Sequence, residues 1–378
     1  SSELDTYYSQ LTQIDNLLAD PRAGLSAAMT SFFNAVQDVA TNPQNYASRQ
    51  DMLSGANSLV DRFRLIDGQL GALRRSVDDQ ISLTVTSINS YAKEIAALNE
   101  AIVLAKGYAG GRDEPNDLLD QRDQMVLELN KLLRATVVEQ DDGSFNVFIG
   151  NGQPLVAGYT TSDLVAMRDP YDASQFTVGF QTPGVTLPIS ETVLSGGSLG
   201  GLLAFRRDGL NTTQNQLGRI AIALGDSFNM QHRLGQDLTG ALGGDFFNIG
   251  APDVISATTN TGNAVVAATY LDSNALTASD YRLDYDGANY IVTRLSDNQQ
   301  TSFAGLPANI DGVTLSLASG APAAGDGFTI RPTRPGGNAL SVIVALPEEI
   351  AAAAPIRTSQ GGANTGTGFI SAGSVNPP

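Results

Sequence analysis

The chain has 378 residues, of which 42% are apolar and 16% charged; that is enough apolar material for two or three cores and too little charge for a disordered polymer. Cysteine and tryptophan are absent and His232 is the only histidine, which excludes a disulfide framework, thiolate metal sites, Fe–S clusters and thiol nucleophiles, and leaves any serine triad one possible base. With 22 basic against 39 acidic residues the net charge is −17, the wrong sign for nucleic acid or an anionic membrane surface.

The first residues, Ser1-Ser2-Glu3-Leu4-Asp5, carry neither the basic nor the apolar part of a cleavable signal, and no uninterrupted apolar run approaches the roughly 18 residues of a membrane span. A first helix is predicted from about Ser2 to Ala19, ended by Asp20-Pro21, because the residue before proline is pushed out of the α region. A second, about Leu25 to Thr41, places Leu25, Met29, Phe32, Val36 and Val39 on one face and stops before Pro43.

From about Asn45 to Lys106 there is no proline, and the spacing predicts one rod of about 60 residues, about 90 Å long. Read in heptads, Leu53, Val60, Asp67, Arg74, Ile81, Ile88, Ile95 and Ile102 occupy one core position. Ala56, Phe63, Leu70, Val77, Thr84, Tyr91, Leu98 and Ala105 occupy the other. This is the seam of a coiled-coil-like bundle, open to self-association or to burial within the chain. Asp67, Arg74 and the glycines around them interrupt it, so a bend or a solvent-exposed stretch is expected there.

After a loop from Gly107 to Arg112, Asp113-Glu114-Pro115-Asn116-Asp117 reads as a helix start, with acids at the positive end of the dipole and proline in the first turn. Leu118, Leu119, Val126, Leu129, Leu132 and Leu133 form its apolar stripe, which lays it against the long helix as an antiparallel hairpin. From Thr136 the period falls to two. Thr136 to Glu139 and Phe145 to Ile149 flank the turn Asp141-Asp142-Gly143, and short strands are expected to about Thr192.

Helical spacing returns over about Ser198 to Leu234, with Leu203, Leu210, Leu217 and Leu224 at heptad intervals joined by Leu199, Ile220 and Phe228, and this helix is expected to dock on the first bundle. Beyond Phe246 the pattern is all-β. Ala264 to Ala267, Tyr281 to Tyr285, Tyr290 to Thr293 and Val313 to Leu317 read as strands, with turns at Asp286-Gly287 and Asp311-Gly312. Ala351 to Ala354, Gly361-Gly362 and the closing Asn376-Pro377-Pro378 show no core pattern.

The fold class expected is therefore mainly α plus β and multidomain: an elongated helical bundle with long coiled-coil-like helices, a small β insertion and a separate all-β domain. The bundle takes residues 1–135 and 196–247, the hairpin-rich insertion 136–195, and the outer β domain 248–345. Residues 346–378 read as a linker or the start of a further segment.

Three features invite a chemical reading. The cluster Gly196-Gly197-Ser198-Leu199-Gly200-Gly201 lacks the Gly-Lys-Ser/Thr of a phosphate loop and reads as a flexible turn feeding a closely packed helix. Asp113, Asp117, Asp120 and Asp123 lack the ligand pattern of a calcium loop and read as helix-start acids in surface ion pairs with Arg112 and Arg122. His232 lies near a helix C-terminus, where a cationic imidazole is mildly favoured, and no serine or acid can be tied to it as a catalytic partner. No catalytic, cofactor or metal residue is assigned, and an enzyme is not expected.

Several longer motifs point to a family. Leu11 to Leu18 (LTQIDNLL), Pro115 to Asp123 (PNDLLDQRD), Asn151 to Val156 (NGQPLV), Gly197 to Leu203 (GSLGGLL) and Phe228 to Gly235, then Asp237-Leu238, resemble, in this order, the flagellar hook-associated protein 1 family. Leu276 to Tyr281 and on to Arg294 continue the resemblance. It implies a bacterial structural protein, exported unfolded by the flagellar type III apparatus and assembled outside the cell as a ring at the hook–filament junction. The implied partners are hook protein, neighbouring copies of itself, the next junction protein and a cytoplasmic export chaperone acting through a C-terminal segment. It also implies terminal coiled-coil segments that this chain lacks, so the chain reads as a core fragment, monomeric in solution. The competing readings are an adhesin or phage-tail-like module with glycan-binding or hydrolase activity in its β region and, within the structural class, flagellin.

Overall fold

The computed structural model describes residues 2–18, 24–109, 114–182, 184–354 and 365–368. Four helices come first: α1 (Ser2–Leu18), α2 (Leu25–Thr41), α3 (Tyr46–Ala109) and α4 (Asn116–Leu132). The expected stop at Asp20-Pro21, the acid Asp113 with Arg112, and most of the closing Gly/Pro-rich stretch lie outside the described residues.

The described residues form two compact units. One draws on Ser1–Asp15, Leu70–Thr212 and Ile255–Asn260; the other on Asn16–Gln69, Thr213–Val254 and Thr261–Pro378. Helix α3 contributes its first part to the second unit and its remainder to the first. The molecule is α plus β and multidomain, as its sequence pattern implies.

Helix α3 is unbroken over 64 residues and continues through Gly107 to Ala109, where a loop was expected. The expected interruption of its seam occurs at Asp67, half-buried where the buried line passes to Ile66, but not at Arg74. Arg74 is buried and its Nη2 donates to Asn211 Oδ1 at 2.7 Å, so this polar seam residue is accommodated by a partner instead of by solvent. Gly68 is exposed with open space around its Cα. A glycine there costs about 1 kcal/mol against alanine, small beside the about 1.5–3 kcal/mol that each fully buried isoleucine of the seam contributes.

All the isoleucines Ile81, Ile88, Ile95 and Ile102 are buried. In the latter half of α3 the second buried column moves from the expected Thr84, Tyr91 and Leu98 to Asp78, Val85, Ala92 and Asn99. A straight helix at 3.6 residues per turn drifts by about 20° per heptad against a 3.5 repeat, so a heptad register taken from one half fails in the other.

In the first unit the chain then forms β1 (Ala135–Glu139), β2 (Phe145–Ile149), β3 (Gln153–Ala157) and β4 (Thr160–Thr161), an antiparallel sheet in that order. Strands β5 (Leu164–Asp169), β6 (Asp172–Thr182) and β7 (Val185–Pro188) form a second meander. The β1–β2 register pairs Val137 with Val147, and the turn between them carries Gly143 at φ +83°, the left-handed conformation that favours glycine.

The helical region expected from Ser198 to Leu234 is three segments: α5 (Gly197–Ala204), a π-helical turn (Phe205–Leu210) and α6 (Asn211–Arg233). Leu199, Leu203, Leu210 and Leu217 are buried as expected. Past Leu217 the buried line passes instead to Gly218, Ala221, Ile222 and Gly225, leaving Ile220 exposed and Leu224 half-buried. The heptad survives the π turn as far as Leu217 and fails within α6, where a helix at 3.6 residues per turn drifts by about 20° per heptad against a 3.5 repeat.

The remaining strands follow α6 in the chain: β8 (Phe247–Asn248), β9 (Asp253–Ser256), β10 (Val265–Tyr270), β11 (Tyr281–Tyr285), β12 (Tyr290–Arg294), β13 (Gln300–Phe303), β14 (Ala308–Ile310), β15 (Val313–Ser319), β16 (Gly327–Arg331) and, after the short helix α7 (Gly336–Ala339), β17 (Ser341–Val342). A five-stranded sheet runs β13-β12-β11-β16-β9 and a three-stranded one β10-β15-β14. Val266, Leu283, Val292, Leu315 and Phe328 share one core with Ile222 of α6. Both sequence-read turns form, with Asp311 at φ +44° and Gly312 at φ +79°.

Candidate interaction surface

Helix α2 buries Phe32 and Val39 completely, and Phe32 packs among Phe228, Phe246 and Phe247 at ring centroid distances of 5.4, 6.5 and 5.8 Å. Met29, Phe33 and Val36 lie on the adjoining face and line, with Ile220, Ala223 and Leu224 of α6, an open apolar groove of 610 Å³. A neighbouring hollow of 790 Å³ lined by Leu18 and Leu25 shares Met29, Phe33 and Ile220 with it. Phe33 and Ile220 are 45% and 42% exposed. Scattered exposed apolar side chains are ordinary, but a contiguous concave set of them marks a surface for another apolar face. Four of these residues, Met29, Val36, Ile220 and Leu224, were assigned to core stripes by periodicity. Amphipathic spacing identifies an apolar face and is silent on whether anything covers it.

Polar side chains fasten the helices of each unit to its other elements. In the first unit, Asn89 of α3 holds both backbone groups of Leu164, donating to its carbonyl at 2.7 Å and accepting from its N–H at 2.9 Å. Ten residues on, Asn99 donates to the carbonyls of Phe145 and Gly158 and accepts from the N–H of Phe145. Arg122 of α4 completes the cluster, donating from Nη1 to Asn99 Oδ1 and to the Gly143 carbonyl, its guanidinium 3.3 Å from the centre of the Phe145 ring. Arg122 is 2% exposed. It is therefore no surface ion-pair partner: desolvation of a cation at a helix–sheet junction is offset by carbonyls and a π face. Asp117, Asp120 and Asp123 are exposed, as helix-start acids are expected to be.

The π turn aims Arg206 inward, where Nη1 donates to Asp78 Oδ1 at 2.8 Å and to the Phe176 carbonyl at 2.5 Å, and Nη2 pairs with Glu191. Burial pushes the Glu191 carboxyl above its ordinary range, against the pull of Arg206. Asp78, at a helix position carrying no sequence motif, was missed. Its only signal was a charged residue inside the buried stripe.

The glycine cluster is a close-packing device. Gly196 and Gly197 have φ +82° and +62°, and a side chain on Gly197 would overlap the backbone of Leu132, one on Gly201 the carbonyl of Glu3. No phosphate loop geometry is formed by it.

In the second unit Asn229 accepts from the N–H groups of Phe246 and Phe247 and donates to the Phe247 carbonyl. His232, one turn further, is 5% exposed. Its Nε2 accepts the Ala351 N–H at 2.8 Å, so its Nδ1, 2.7 Å from the Gly244 carbonyl, carries the proton. The cationic form that a helix C-terminus favours is thus not the one present: burial, ahead of every other influence, holds the imidazole below its ordinary pKa. Among the described residues no group of three or more His, Asp or Glu side chains is placed to hold a metal ion, and no helix is long and apolar enough to cross a membrane.

Comparison with known proteins places these features in a family. Residues 11–247 match the model of the flagellar hook-associated protein FlgK helical domain, and residues 255–332 that of the flagellar hook-associated protein 1, D2-like domain. The chain is 40% identical over 337 residues to flagellar hook-associated protein 1 of Salmonella typhimurium, covering 88% of this chain and 61% of that protein, and likewise 40% identical over 339 residues to the Escherichia coli protein. It therefore spans about three fifths of the length of these curated relatives. The solved flagellar hook junction protein FlgK from Burkholderia pseudomallei superposes with a TM-score of 0.91 at 39% identity, over 99% of this chain and 68% of that one.

Proposed function

Because the chain belongs to the flagellar hook-associated protein 1 family, we propose that it is a structural, non-enzymatic part of the bacterial flagellum, an adaptor at the hook–filament junction needed for filament assembly. The observation that carries this is the match of residues 11–247 to the family's helical domain, which spans the fastened helices and the apolar groove. In this role the chain leaves the cell by the flagellar type III route and assembles extracellularly. Its partners are hook protein, neighbouring copies in a ring and the next junction protein, with a cytoplasmic export chaperone before secretion.

The bundle of 1–135 and 196–247 with its 136–195 insertion serves as the packing module, and 248–345 as the outward β module. Support for that division comes from the separate family matches at 11–247 and 255–332. Long helices with buried, hydrogen-bonded fastenings resist bending, and the groove lined by Phe33 and Ile220 is an apolar surface available to lateral packing.

The test is replacement of the matched region of a full-length relative by this chain in a strain lacking its own junction protein. Restored filaments and motility are expected. A secreted chimera that leaves hooks bare would sink the adaptor role.

A further inference from the structure

Residues 346–353 lie against α3 and α6 of the second unit under an unusual set of restraints. Arg49 of α3, fully buried, donates from Nη1 to the carbonyls of Pro347 at 3.0 Å and Ile350 at 2.5 Å, while its Nε donates to the Pro43 carbonyl at 2.6 Å. Gln236 and Ala353 exchange both backbone hydrogen bonds, at 2.8 and 3.1 Å. Gly235 and Gly243 leave room for the approach: a Cβ on Gly235 would overlap the Ala351 carbonyl, and one on Gly243 the His232 carbonyl. The single bond in this set that depends on a proton near neutral pH is that from the Ala351 N–H to His232 Nε2.

We propose that His232 and Arg49 form an acid-released latch on residues 346–353, closed while the imidazole is neutral and opened when Nε2 takes a proton. Protonation turns Nε2 from acceptor to donor, so that two N–H groups face each other across the Ala351 contact with no lone pair between them. The Gly244 carbonyl already accepts from Nδ1 and offers no alternative site. The new cation would also lie in the field of Arg49. Protonation therefore leaves the buried Ala351 N–H without an acceptor and favours opening of the eight-residue strap while the β core stays folded.

The charged groups around the ring divide. On its own helix Arg233 is ion-paired with Asp245 at 2.5 Å; in the following loop Asp237 and Asp245 favour the proton; Arg49 from α3 opposes it. On the strap Glu349 is engaged with the N–H groups of Ala345 and Leu346, and Glu348 is the remaining acid. Desolvation outweighs the two loop carboxylates, so the imidazole in the fold titrates below its free value. With the folded pKa depressed, the stabilisation is complete above the free histidine value of about 6.5 and is lost as pH falls through the folded value. The latch is therefore shut at neutral pH. This inference does not depend on the flagellar role.

Having a single histidine makes the test direct. In the ¹⁵N-labelled chain the imidazole nitrogens are expected to report the Nδ1–H neutral tautomer at about pH 8 and a protonation midpoint below the free histidine value of about 6.5. As pH falls from the free histidine value of about 6.5 to that midpoint, the protection factor of the Ala351 amide, corrected for intrinsic exchange, should fall by up to about tenfold per pH unit and level off below it, while Leu283 and Leu315 amides in the β core stay protected. In H232Q the acid-induced loss at Ala351 should be absent. Loss of Ala351 protection that begins near the free histidine value and levels off at the imidazole midpoint supports the latch even if H232Q fails to fold. A midpoint at or above about 6.5, Ala351 protection that ignores the imidazole titration, simultaneous loss of the β-core amides, or the same acid loss in H232Q would each overturn it.

Discussion

The two units seat β structure on helices in different ways. In the first, side chains reach out of α3 and α4 and take hold of strand and turn backbone: Asn89 on Leu164, Asn99 on Phe145 and Gly158, Arg122 on Gly143. The second has one such grip, Asn229 on Phe246 and Phe247, and adds a closer seat: α6 presents glycines so closely that a side chain at Gly218 would overlap the Thr333 carbonyl, and Ile222 enters the β core itself. A fastening by hydrogen bonds is directional and sets register at points. A fastening by backbone contact and apolar packing is tolerant in direction but admits no added atom.

Gly218→Val should break the second kind of seat most severely, because backbone cannot move aside as a flexible side chain can. A loss of about 4 kcal/mol is expected, read as a lowered denaturant midpoint for the transition that carries the β-domain signals. An unchanged midpoint there would show that Gly218 is not the point of contact.

Arg122→Met tests the first kind. It leaves the Gly143 carbonyl and Asn99 Oδ1 without their buried donor, and about 3 kcal/mol should be lost from the first unit alone. Arg122→Lys should not restore it, since a single ammonium cannot span two acceptors and cover the Phe145 face. Full rescue by lysine would mean that only charge matters at this site.

Gly68→Ala should act in the opposite direction. With open space at its Cα, the substitution should stabilise by up to about 1 kcal/mol through helix propensity, raising the thermal midpoint. Destabilisation would mean that α3 needs a glycine there. Smallest of all is Lys93→Ala. Its pair with Asp163 at 3.1 Å is solvent-exposed on both sides, so a double-mutant cycle should return less than about 0.5 kcal/mol, far below the effect at buried Arg122.

Much of the secondary structure was legible. The bounds of α2, the β1–β2 hairpin around Asp141-Asp142-Gly143 and the turns at Gly287 and Gly312 all follow from local signals that need no partner: proline, glycine conformation and alternation. The candidate surface was half legible. Met29, Val36, Ile220 and Leu224 were recognised as apolar stripe residues and placed in a core, because a stripe looks the same in sequence whether covered or open. Arg122 was visible only as one charge in the PNDLLDQRD run, and Arg74 only as a break in a heptad; both are buried because distant residues, Gly143 and Asn211, supply acceptors.

By itself, then, the chain's sequence determined the main helices, several of the strands, the absence of thiol chemistry and the apolar stripe of α2, since all of these depend on neighbours within a few residues. The tertiary structure alone decided which faces are covered, how α3 shifts its buried column past Val77, how the π turn re-aims Arg206, and that His232 is neutral with the Ala351 N–H on Nε2. Those outcomes depend on groups between about ten and three hundred positions away, and no local pattern records which acceptor will meet a buried donor when the chain closes on itself.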